Sequence, residues 1–118
     1  MNNYVIIYKQ LIKNYVFDGK YIENGEKSEI VLEDAFAKIE IIVSCGYKSP
    51  DNFWYDQSEK ETVYILQGEG TLEFSDKKQT LKKGDFLIIE PHQKHRVSDT
   101  SKNPPCVWLC LFEKNYSD

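Results

Sequence analysis

From Ser28 onward the apolar residues come in β-branched runs of strand length, each closed by Gly, Pro or Asp, and this punctuation limits the fold more than any other feature. The runs are Ser28 to Leu32, Ala37 to Ser44, Glu61 to Gln67, Thr71 to Phe74, Phe86 to Ile89 and Cys106 to Phe112. Between them lie Glu33-Asp34, Cys45-Gly46, Gly68-Glu69-Gly70, Ser75-Asp76-Lys77, Gly84-Asp85, Pro91 and Asn103-Pro104-Pro105. No long segment carries an apolar stripe at the helical repeat. Short strands at regular spacing predict an all-β domain, an antiparallel sandwich or barrel.

The 118 residues fit one domain, 1–118, which at this size buries roughly two-thirds of its unfolded surface and needs no disulfide or structural metal. Eight tyrosines, six phenylalanines and two tryptophans suit pleated, half-buried surfaces better than helix faces. The net charge of −4, with no Lys/Arg cluster to offset it, argues against a nucleic-acid partner. Lys77-Lys78 and Lys82-Lys83 read as solvated turn residues. Cys45, Cys106 and Cys110 form no CxxC pair. With no signal peptide at the start, they read as reduced thiols in a cytoplasmic protein and not as a zinc site. The uncharged apolar stretches are far too short to span a membrane, so no membrane partner is expected.

The N-terminal segment, 1–27, is less legible. Tyr4 to Phe17 is apolar but interrupted, and Asp18-Gly19 and Asn24-Gly25 are turn dipeptides. Edge strands, a short helix beside the barrel and a dimer contact are all compatible with it, leaving 28–112 as the barrel. Small open barrels leave sheet edges that need covering, so a homodimer through those edges is expected, with Tyr4 to Phe17 as a candidate cover.

Two stretches resemble the paired motifs of the cupin superfamily. Glu61 through Gly68-Glu69-Gly70 is similar to the end of motif one, where a Glu precedes a Gly by seven positions across a strand. Gly84-Asp85-Phe-Leu-Ile-Ile-Glu90-Pro91-His92-Gln93-Lys94-His95-Arg96-Val97 resembles motif two: Gly-Asp, an apolar strand, a Pro-containing turn, then a His. Ser49-Pro50, Phe53-Trp54-Tyr55-Asp56-Gln57 and Val107-Trp108-Leu109 extend the likeness to small single-domain bacterial cupins. The resemblance implies a cupin-type jelly-roll β-barrel, a double-stranded β-helix. It also implies a turn at Gly68 and Gly70 that needs positive φ or close approach.

Metal-binding cupins hold a divalent metal with two imidazoles of a His-x-His, a Glu and a motif-two His. Here Glu61 matches the Glu and His95 the motif-two His, but no His-x-His exists. Its positions fall on Trp54 and Asp56 at one spacing and on Tyr55 and Gln57 at the other; the chain's only histidines are His92 and His95. A full three-His, one-Glu centre is therefore excluded. The metal donors that the resemblance leaves are His95, Glu61 and either Gln57 or Asp56, a weaker set for Zn, Fe, Mn or Ni.

Against this stands a metal-free reading, in which His95 is a barrel-mouth histidine hydrogen-bonded to Glu61. Trp54, Tyr55 and His95 are candidate contacts to a small-molecule ligand, with wall packing the alternative for the aromatic run. His92 reads as exposed on its turn, and Arg96 as an outward-facing ion-pair residue. The sequence thus points to a small-molecule binding barrel. Its alternatives are a metal-dependent enzyme of dioxygenase or isomerase type and metal-free, epimerase-like catalysis by His95.

Overall fold

The computed structural model describes residues 25–114, which form eight strands and no helix. They are β1 Glu26–Glu33, β2 Ala37–Ser44, β3 Lys60–Gln67, β4 Glu69–Phe74, β5 Lys78–Lys82, β6 Phe86–Ile89, β7 His95–Thr100 and β8 Cys106–Glu113. A five-stranded antiparallel sheet of order β1-β2-β8-β3-β6 faces a three-stranded sheet of order β5-β4-β7. This is the jelly-roll barrel that the cupin resemblance implies. The expectations for Tyr4 to Phe17 and for Asp18-Gly19 lie outside the described residues.

Period-two alternation decides what each strand contributes. In β8, Cys106, Trp108, Cys110 and Phe112 point between the sheets, where they pack with Val63, Ile65, Leu72, Phe74, Leu81, Ile89 and Val97. Val107 and Leu109 point to the other face and pack with Ile39, Ile41 and Val43 of β2. Both faces of the larger sheet are buried at its centre, which explains why β8 reads as a continuous apolar run.

Tight turns join neighbouring strands. Gly68 sits at φ +69°, the left-handed region that glycine enters without strain, between β3 and β4. Gly70, already in β4, is needed for space: a Cβ there would lie 2.5 Å from the Trp108 ring. The segment between β2 and β3 has no sheet of its own but is laced to β7. Ser49 donates its N–H to the Val97 carbonyl (2.8 Å) and accepts the Val97 N–H on Oγ (2.9 Å). The Thr100 hydroxyl donates to the Tyr47 carbonyl at 2.8 Å. Tyr55 and His95 exchange both backbone hydrogen bonds, at 2.7 and 3.2 Å. Arg96 completes the lacing, binding Glu73 at 3.2 Å and the Ser49 and Pro50 carbonyls at 3.0 and 3.2 Å.

Candidate functional site

The two sheets and the laced segment enclose a cavity of about 420 Å³ between them. Its polar centre is built by register. Glu61 of β3 lies opposite Phe112 of β8 and Ile89 of β6, so its carboxyl points inward among apolar side chains. His95 opens β7 and is turned toward it, with Nε2 3.7 Å from Glu61 Oε1. Both residues are buried, at 6% and 5% exposure.

Local contacts fix the chemistry of each group. His95 Nδ1 lies 2.9 Å from the Gln93 carbonyl, which can only accept, so Nδ1 carries the proton in the neutral ring. The Nε2 lone pair is thereby left facing Glu61 and the cavity. Burial lowers the His95 pKa, opposed by the Gln93 hydrogen bond, which keeps the imidazole neutral at ordinary pH. Tyr55 stacks on the His95 ring at 5.2 Å, and burial pushes its phenol up to about 12.

Burial raises the Glu61 carboxyl to about 7, although hydrogen bonds from Cys110 and Gln57 pull the other way. The Cys110 thiol, fully enclosed and facing that carboxyl, is pushed well above its ordinary value and stays protonated. Glu61 and His95 therefore form a carboxyl–imidazole pair in which the carboxyl keeps its proton up to about pH 7 while the imidazole facing it stays neutral.

The laced segment resolves the two spacings open in the sequence. Tyr55 and Gln57 line the cavity; Trp54 and Asp56 do not. Asp56 is turned outward, where its Oδ1 meets His92 Nδ1 at 2.7 Å, and both side chains are largely exposed. Trp54 lies outside over the Arg96 guanidinium at 5.8 Å. Two expectations are thus corrected: Asp56 is not placed to join Glu61 and His95, and Trp54 is not placed to touch a molecule in the cavity. Successive residues of an extended segment face opposite ways, so only one member of each adjacent pair points in. His92 is exposed and Arg96 makes its ion pair with Glu73, both as read from the sequence.

Cys110 and the Gln93 carbonyl escaped sequence reasoning. The even-numbered positions of β8 gave a usable sign for Cys110, because they share the inward face with Trp108 and Phe112.

A resident divalent metal needs several converging donors. Among the described residues no group of three His, Cys, Asp or Glu side chains comes together to hold one. Glu61 and His95 supply two donors and the Gln57 amide a weak third. This set does not fit a resident divalent metal.

Known proteins share this architecture. Residues 46–112 match the family model of the cupin domain. An uncharacterized protein of Methanocaldococcus jannaschii is 33% identical over 107 residues, spanning 90% of this chain and 83% of its own length. A crystal structure from Ralstonia eutropha JMP134, provisionally named a mannose-6-phosphate isomerase, superposes with a TM-score of 0.77 at 31% identity, covering 88% of this chain and 95% of that one. A cupin superfamily protein from Desulfitobacterium hafniense DCB-2 shares the fold at a TM-score of 0.68 and 20% identity, over 79% of this chain and 81% of that one.

Proposed function

The chain belongs to the cupin family, and from that premise we propose that its barrel binds a small organic molecule, with Glu61 and His95 as the polar anchor. The observation that carries this reading is the pair itself: two buried titratable groups with facing polar atoms at the wall of the cavity, beside Val63, Leu72, Ile89 and Val97. A cavity of about 420 Å³ is within the size range of small-molecule sites, which combine apolar walls with a few convergent polar groups.

A second reading, metal-free proton transfer, draws support from the tautomer of His95. Nδ1 is occupied by the Gln93 carbonyl and Nε2 is a free base beside a carboxyl that titrates at about 7. A general acid–base pair works best when its pKa lies near the working pH. The name of the Ralstonia relative is compatible with this chemistry, since isomerising a sugar moves protons between neighbouring atoms.

The rest of the reading concerns setting. The described cysteines are free thiols, which suits a cytoplasmic location, and no helix among the described residues is long and apolar enough to cross a membrane. A homodimer is part of the same reading: the edge strand β6 exposes Phe86 and Ile88, at 58% and 42%.

The test is a thermal-shift screen of small polar metabolites on the wild type, His95→Ala and Tyr55→Ala, with elemental analysis of protein purified without chelator. A compound that raises the wild-type melting temperature but neither variant's is the expected result. Near-stoichiometric metal that disappears in His95→Ala would replace this reading with a metalloprotein.

A further inference from the structure

The charges around the cavity are lopsided. Among its described lining residues, Glu26, Glu40 and Glu59 stand against Lys38 as the only Lys or Arg. The Lys38 ammonium lies 4.6 Å over the Phe112 ring, one cation against three carboxylates in the lining. Arg96, the chain's only arginine, faces away and is occupied by Glu73 and two carbonyls. The groups that commonly grip phosphate are an arginine fork or a helix N-terminus, and the described residues of this cavity supply neither.

Resting on the reading of this cavity as a binding site, we propose that it selects small molecules bearing positive charge over those bearing phosphate or carboxylate groups. A low-dielectric cleft lined by one sign of charge focuses its field and concentrates the opposite ion. Tyr55, Trp108 and Phe112 add aromatic surface that attracts cations. Glu61 strengthens the preference: a cation seated beside it favours the ionised carboxylate, so the proton that burial retains passes to solvent as the cation enters. An anion meets the reverse. The sugar phosphate in the Ralstonia relative's name is thus the class this cavity is least suited to hold.

The chain has two tryptophans, so Trp54→Phe, which keeps an aromatic ring over Arg96 outside the cavity, leaves Trp108 of the cavity wall as the only indole reporter. Its fluorescence is quenched in turn with acrylamide, caesium chloride and potassium iodide at matched ionic strength. Each quenching constant is scaled to free N-acetyltryptophanamide. Acrylamide should quench, and caesium should exceed iodide by roughly threefold or more after scaling. Adding Glu40→Gln and Glu59→Gln should bring that ratio toward one. Equal caesium and iodide quenching, or a ratio unmoved by the double substitution, would overturn the charge preference while leaving the cavity a binding site. Failure of acrylamide itself would show that solutes do not enter, and both readings would fall.

Discussion

Glu61→Gln should stabilise the protein above neutral pH and leave it almost unchanged in mild acid. The Glu61 carboxyl goes from 4.5, its ordinary value, to about 7 in the folded protein, chiefly because burial penalises the charge. Between those two values the folded state holds a proton that the unfolded state has lost. Stability therefore falls as pH rises through this window and is fully reduced above it. The shift corresponds to about 3 kcal/mol at roughly 1.4 kcal/mol per unit. Glutamine has nearly the same shape, carries no charge, can accept from Cys110 and Gln57 through its carbonyl, and can turn its amide toward His95 Nε2.

The assay is urea denaturation of wild type and Glu61→Gln at several pH values across that window. His95 titrates the other way: its lowered pKa makes stability fall as pH drops below the ordinary imidazole range, in both proteins. Subtracting one curve from the other removes that contribution. The difference should be small near pH 4.5 and grow to about 3 kcal/mol above pH 7, or about 10 °C in melting temperature for a chain of this size. A difference that stays flat across the window, or a variant less stable than wild type at high pH, would show that burial does not govern this carboxyl.

Three further outcomes follow from the packing. Gly70→Val drives a branched side chain into the Trp108 ring, whose atoms lie 2.5 Å from where a Cβ would sit, and should cost about 2 kcal/mol or more in urea denaturation. Unchanged stability would mean the β4–β8 approach is looser than described. Arg96→Ala removes the Glu73 ion pair and the ties to the Ser49 and Pro50 carbonyls, and should cost roughly 1–3 kcal/mol. It should also speed amide exchange at Ser49 and Tyr55; protection equal to wild type would count against the lacing. Sedimentation at micromolar concentration should give a dimer that Phe86→Lys weakens, and a monomeric wild type would retire the edge contact.

What the sequence disclosed follows from how each strand is buried. β2 and β6 were legible to the residue, because Ala37–Ser44 and Phe86–Ile89 are apolar between clear breakers. β5 was hidden: in Lys78–Lys82 only Leu81 is buried, and the flanking lysines read as turn. β7 showed through the motif-two resemblance alone, since His95–Thr100 carries one aliphatic residue, Val97, among polar ones. The cupin resemblance singled out Glu61 and His95, which the structure brings to 3.7 Å. It left Trp54/Asp56 and Tyr55/Gln57 undecided, because the direction of an extended segment depends on its backbone partner. Here that partner is β7, through Tyr55 and His95.

The strand order of the larger sheet bears on how the chain matures. β8 sits between β2 and β3, pairing Ala37–Ser44 on one side and Lys60–Gln67 on the other, yet follows both in the sequence. The smaller sheet draws only on residues between Glu69 and Thr100 and is complete in the chain before β8 begins. During synthesis, then, one wall of the barrel can assemble while β2 and β3 wait with a raw edge apiece. Closing the other wall joins partners far apart along the chain, the kind of contact that forms slowly. Until Cys106–Glu113 leaves the ribosome, the apolar edges of β2 and β3 stand open to other nascent chains.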